Sequence, residues 1–94
     1  MLHSNISVNE AGHLTLAGRD TVGLAERYGT PLMLMDEARI RTRMREYADT
    51  MREVFAPGSM PLFASKAFCC KEMYRIAADE GIGTDIVSGG ELYT

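Results

Sequence analysis

Apolar and polar residues alternate from Ile6 to Leu16. Ile6 and Val8 flank Ser7, Leu14 and Leu16 flank Thr15, and Asn9-Glu10-Ala11-Gly12 lies between them. A period of two on either side of a turn-rich tetrapeptide predicts a β-hairpin. The period then lengthens. Val22, Leu24, Ala25 and Tyr28 fit a short helix, with Asp20 or Thr21 as its N-cap and Gly29 just past its end. Thr30-Pro31 opens the run Leu32-Met33-Leu34-Met35, whose four consecutive apolar residues predict a strand covered on both faces. Asp36 is suited to cap the longest helix, about residues 37–55, where Ile40, Met44, Tyr47 and Met51 recur at helical spacing and Val54 and Phe55 close the stripe. Pro57-Gly58 marks its stop. Pro61 to Lys66 reads as a second buried strand. A helix follows over about residues 70–80, with Met73, Ile76 and Ala77 inward and Gly81 at C′. Gly83 to Ser88 reads as a third strand, and a further helix opens at Gly89.

From residue 37 onward, helices and strands alternate, which implies an α/β class with parallel strands and right-handed crossovers. Three strands cannot close a (β/α)8 barrel, which takes about 250 residues. The 94 residues are therefore expected to be truncated relative to a larger unit.

Composition narrows the classes further. Hydrophobic residues make up 46% and charged residues 24%, so the chain is expected to pack rather than stay disordered. The net charge is −3 and no basic stripe occurs, which argues against nucleic acid as a partner. No apolar run is long enough to cross a bilayer, and Met1-Leu2-His3-Ser4-Asn5 lacks the pattern of a signal peptide. A cytoplasmic location follows by default. Cys69 and Cys70 have no partners for a zinc pattern and read as two small buried thiols in a reducing compartment. Met33, Met35, Met44, Met51 and Met73 read as core filler. Arg39, Arg41, Arg43, Arg45 and Arg52 mix with Glu37, Glu46, Asp49 and Glu53, which reads as a solvated helix face rather than a phosphate site. His13 has no ligand partner at a useful spacing and reads as a surface histidine; no metal site is expected.

Candidate chemistry gathers at strand ends, where ligands bind in parallel α/β folds. Leu62, Ala64 and Lys66 would share one strand face, with Lys66 at the end and small Ala64 below it leaving room for a flat ring. A desolvated lysine there would be a nucleophile toward an aldehyde. Position alone favours an ordinary strand-end lysine with its ammonium in solvent. Asp85, near the end of the next strand, reads equally as a partner for Lys66 or a cofactor and as a turn residue. Ser88-Gly89-Gly90-Glu91 fits a capping box better than a phosphate loop.

Together these segments resemble a known family. Thr30-Pro31-Leu32 through Met35-Asp36-Glu37, then Phe63-Ala64-Ser65-Lys66-Ala67, then Gly83-Thr84-Asp85-Ile86-Val87-Ser88-Gly89-Gly90-Glu91-Leu92-Tyr93, look like the N-terminal motifs of the diaminopimelate decarboxylases. Phe63 stands where tyrosine is common in that family. The S-G-G-E-L block is closer to this family than to ornithine decarboxylases or alanine racemases.

The resemblance implies a pyridoxal 5′-phosphate enzyme of fold III, with an alanine-racemase-type TIM barrel, a β-rich domain and a homodimeric full-length form. It implies the conversion of meso-diaminopimelate, a small amino-acid substrate, to L-lysine and carbon dioxide. Lys66 maps onto the Schiff-base lysine, and Ala64 and Asp85 onto positions near the cofactor. Residues 1–36 would belong with the β-rich domain and 37–94 with the first βα units of the barrel. The groups that hold the phosphate and the pyridine nitrogen would lie beyond Thr94, so the 94 residues alone are expected to be inactive. Another fold III decarboxylase or racemase, or a catalytically silent α/β piece, are the alternatives.

Overall fold

The computed structural model describes residues 3–94; Met1 and Leu2, where the reading for a signal peptide begins, lie outside them. The chain forms two compact units, one ending at Arg39 and the other running from Ile40 to Thr94.

The first unit carries a three-stranded antiparallel sheet, β1 (Ile6–Val8), β2 (Leu14–Leu16) and β3 (Arg19–Asp20), in that order. The predicted hairpin is present, with Ile6 opposite Leu16 and Val8 opposite Leu14. Asn9 closes its turn: its side-chain oxygen accepts from the His13 N–H at 2.9 Å, and its own N–H donates to the His13 carbonyl at 2.9 Å. β3 was not expected. It returns through the two-residue turn Ala17-Gly18, with φ of 50° and 76°. Two positive φ values give the turn whose twist matches a hairpin. Alanine resists that region by about 1 kcal/mol, so Ala17 is a poor sequence signal for it. The Ala17 N–H donates to the Asn5 carbonyl at 2.7 Å, which anchors the turn.

The interior of this sheet is polar. Thr15 is buried, and its hydroxyl lies 2.6 Å from that of Ser7. Helix α1 (Thr21–Tyr28) is capped by Asp20, whose carboxylate accepts from the Val22 N–H at 2.9 Å. The same carboxylate lies 3.0 Å from His13 Nδ1, which ties this surface histidine to the helix cap. That hydrogen bond is the main reason the Asp20 carboxyl is held below its usual range.

Leu32–Met35 corrects the sequence reading. The segment forms no strand, and Met33 is 85% exposed. Its residues alternate between half-buried and exposed, so the run is not covered on both faces, and Met33 and Met35 are not core filler. Apolar character predicted a buried strand, but a strand also needs a neighbour to take its backbone hydrogen bonds.

Helix α2 (Glu37–Val54) starts at Asp36 as predicted, with the Asp36 carboxylate accepting from the Arg39 N–H at 3.2 Å and from the Asn5 amide at 2.9 Å. Its buried stripe differs from the one read in the sequence. Met44 is buried, with Ile40 and Ala48 packed beside it, whereas Tyr47 is 67% exposed and Val54 and Phe55 are also exposed. Periodicity finds a face, but the partner helix selects its centre.

In the second unit, β4 (Leu62–Ala64) pairs in parallel with β5 (Gly83–Asp85), and α3 (Lys71–Asp79) connects them. This βαβ unit bears out the mixed α/β class. Both strands are shorter than predicted, and Leu62 is 61% exposed, so β4 is not a strand buried on both faces. Met73, Ile76 and Ala77 face inward as predicted and pack with Met44 and Ile82 into the apolar core. Fully burying each of the larger side chains contributes about 2 kcal/mol. Past the end of α3, Gly81 adopts φ 72°, its N–H donating to the Ala78 carbonyl while the Ile82 N–H donates to that of Ala77. This is the Schellman pattern, and it delivers Ile82 back onto the core.

Two arginines of this face reach carboxylates at the end of α3, Arg41 half-buried and Arg45 still exposed. Arg41 pairs with Asp79 and Glu80, and Arg45 with Glu80. A carboxylate at a helix C-terminus opposes the macrodipole; the two guanidinium groups offset it and hold the Glu80 carboxyl below its usual range, Arg45 chiefly. Arg43 and Arg52 make the expected local pairs with Glu46 and Asp49. Cys69 is exposed and Cys70 half-buried, both free, so the expectation of two buried thiols fails at Cys69. Among the described residues, no helix is long and apolar enough to cross a membrane.

Candidate functional site

Parallel pairing sets Ala64 directly opposite Asp85, at the C-terminal ends of β4 and β5. Side chains at paired positions leave the sheet on the same face. Two of the three candidate residues thus become neighbours across the ladder, though Asp85 itself is exposed.

Lys66 departs from the sequence reading. The strand stops at Ala64, and Ser65–Ala67 form a 3₁₀ turn closed by the Phe68 N–H donating to the Ser65 carbonyl at 3.1 Å. Strand alternation therefore does not place Lys66 on the face of Leu62 and Ala64. Lys66 lies on the turn that leaves the strand end, and it is exposed rather than desolvated. Among the described residues, no hydrogen bond or ion pair joins it to Asp85.

The residue before it does the anchoring. Ser65 is 0% exposed. Its hydroxyl donates to Glu91 Oε1 at 2.7 Å and lies 3.1 Å from the Asp85 carbonyl. Glu91 lies in the first turn of the short helix α4 (Gly89–Tyr93). The Ser88 hydroxyl accepts from the Glu91 N–H at 3.2 Å, as the capping box predicted. The carboxylate reaches back to the Val87 N–H at 3.2 Å and onward to Ser65, a partner the box does not anticipate. Hydrogen bonds from Ser65, then Ser88, hold its carboxyl below the usual range. From α3, the Tyr74 hydroxyl donates to the Glu91 carbonyl at 3.1 Å. Tyr74 also lies 3.3 Å from Cys69 Sγ, the contact that chiefly raises its phenol.

The lysine-bearing turn, the end of β5 and the start of α4 are thus tied together by one buried hydroxyl and one nearly buried carboxylate. Ser65 gives no local signal in the sequence, because its partner lies 26 residues away. The only hint was the S-x-x-E box that supplies that partner. The residues present fit part of what pyridoxal phosphate needs: a reachable primary amine on a turn held at a strand end, beside the small Ala64. Among the described residues, no group of three His, Cys, Asp or Glu side chains could hold a metal ion.

This arrangement, a parallel βαβ unit with a lysine on the turn past its first strand, defines a mixed α/β chain with an amine at the C-terminal end of a parallel strand. The chain is similar along nearly its whole length to the N-terminal portion of diaminopimelate decarboxylases. It is 47% identical over 92 residues to the diaminopimelate decarboxylase of Bacillus methanolicus, covering 98% of this chain and 21% of that protein. Against that of Bacillus subtilis it is 42% identical over 93 residues, covering 99% and 21%. A crystal structure of the diaminopimelate decarboxylase from M. jannaschii, in co-complex with L-lysine, matches with a TM-score of 0.76 at 32% identity, over 96% of this chain and 21% of that one. The chain therefore spans about a fifth of the length of the relatives it matches. No family profile matches it.

Proposed function

We propose that this chain belongs to a pyridoxal 5′-phosphate-dependent decarboxylase that converts meso-diaminopimelate to L-lysine and carbon dioxide, with Lys66 as the residue that carries the cofactor. The observation behind this reading is similarity at 47% over 92 residues, together with a lysine on the turn at the C-terminal end of a parallel strand. In this reading, β4, α3 and β5 are early units of a (β/α)8 barrel of the alanine-racemase type. The segment through residue 36 goes with a β-rich domain, and residues 37–94 go with the barrel. The working enzyme is a cytoplasmic homodimer acting on a small amino acid.

Bound pyridoxal phosphate supplies the electron sink that makes loss of carbon dioxide feasible. Lys66 offers the primary amine that carries it, and the same Nζ, when free, moves protons. Ala64 keeps the space at the strand end clear for a flat ring. Asp85, paired with it across the ladder, offers a carboxylate to a polar group.

The test is to treat the full-length protein with pyridoxal phosphate, reduce it with borohydride and map the adduct. The chain contains two lysines, Lys66 and Lys71. Adduct confined to Lys66 is expected. Equal labelling of the two would sink the assignment. Substrate assays then separate the chemistry: release of carbon dioxide from meso-diaminopimelate is expected, and turnover of ornithine or racemisation instead would move the protein to another member of the fold.

A further inference from the structure

The geometry points to Ser65 as the positioning residue for Lys66, acting through a buried hydrogen bond to Glu91. This inference rests on the reading of Lys66 as the cofactor-carrying lysine and deepens it. A 3₁₀ turn of three residues, closed by one backbone hydrogen bond, is a weak mount for a reacting amine. It needs an anchor outside itself. Ser65 faces inward while its neighbour Lys66 faces out, so the two split the turn between anchoring and presentation.

The anchor has two ends. Toward β5, the Ser65 hydroxyl lies 3.1 Å from the Asp85 carbonyl, the last residue of the paired strand. Toward α4, it donates at 2.7 Å to Glu91 Oε1. A hydrogen bond to a charged acceptor in a water-poor site is among the stronger kinds. Glu91 is held in turn by the Val87 N–H, by its own N–H on Ser88 and by Tyr74 on its carbonyl. Among the described residues, no buried side-chain polar atom is left without a partner, so the network is closed. A closed network has one arrangement, which is what a precisely placed amine requires.

The inference is tested in the full-length protein with Ser65→Ala, Glu91→Gln and Glu91→Ala. The first readout is hydrogen exchange without cofactor. Ser65→Ala and Glu91→Ala should each speed exchange of the Phe68 amide, which closes the turn, by about tenfold. The amides of Ile76 and Ala77 in α3, and of Glu80 just past its end, should keep wild-type rates. Glu91→Gln keeps an acceptor oxygen at the same reach and should restore most of the protection. Uniform loss across the turn and α3 would mean general destabilisation and would overturn the inference, as would an unchanged Phe68 amide. The second readout is borohydride-trapped pyridoxal phosphate, where preference for Lys66 over Lys71 should fall about tenfold in Ser65→Ala. If the wild type shows no such preference, the function reading fails, and the exchange measurement still decides the anchor. If the wild type prefers Lys66 and Ser65→Ala does so equally, the anchor is wrong and the function reading stands.

Discussion

The two units of this chain are held by different physics. In residues 40–94 the centre is apolar: Met44, Met73, Ile76, Ala77 and Ile82 form a cluster, and every buried apolar side chain among the described residues belongs to it. In the unit ending at Arg39 the one buried side chain among the described residues is Thr15, paired to Ser7, and the structure hangs on turn and cap hydrogen bonds from Asn9, Asp20 and Asp36. An apolar core tolerates error in direction because dispersion and burial are nondirectional. A hydrogen-bonded turn does not, because each donor has one acceptor and one angle. The candidate site belongs to the first kind of unit but is built by the second kind of force, with Ser65 and Glu91 joined by a buried hydrogen bond.

That contrast can be broken by substitution. Ile76→Ala should have the largest effect, a loss of about 3 kcal/mol in chemical denaturation, because it leaves a void in the apolar cluster. Thr15→Val should cost about 1 kcal/mol, the net worth of the hydrogen bond that the buried Thr15 hydroxyl makes with Ser7. If Thr15→Val proved as severe as Ile76→Ala, the two units would not differ in kind. Gly81→Ala should cost about 1 kcal/mol; open space surrounds Gly81, so the effect is purely that of φ 72°. Met33→Ser should change stability by no more than about 0.5 kcal/mol, since the side chain is exposed. A larger loss there would restore the buried strand first read at Leu32–Met35.

Acid should act on both units. Asp20 and Asp36 in one, and Glu80 and Glu91 in the other, have folded carboxyls held below their usual values. A depressed carboxyl contributes stability above its unfolded pKa and loses it as pH falls through the folded one. Stability should therefore hold steady from neutrality down to the ordinary carboxylate range and fall below it. Glu80→Gln and Glu91→Gln should flatten the acid limb for the second unit, and Asp20→Asn for the first, as followed by residue-resolved hydrogen exchange. A steeper limb in any of these variants would reverse the sign of the argument.

Much of this was legible beforehand. Local rules placed the hairpin, α1, α2, α3 and the capping box, because each depends on residues within one turn of one another. The motifs around Lys66, and those ending in Glu91-Leu92-Tyr93, pointed to the family to which the chain proves similar. What failed depended on partners far along the chain. Leu32–Met35 had the composition of a strand and no ladder to join. Tyr47 had helical spacing, but Ala48 faces the core. Arg41 had the pattern of a solvated charge, but Glu80, 39 residues along the chain, pairs with it.

Lys66 divides the two kinds of knowledge most clearly. The sequence alone determined that a lysine stands at the end of a parallel strand, beside Ala64 and one strand from Asp85, within a recognisable motif. Only the tertiary structure decided that the strand ends at Ala64, that Lys66 rides an exposed 3₁₀ turn, and that Ser65 anchors that turn to Glu91. The reason is physical. Propensity and period are set by neighbours in sequence, whereas the place where a strand stops is set by where its partner stops and by which distant group takes the next free hydrogen bond.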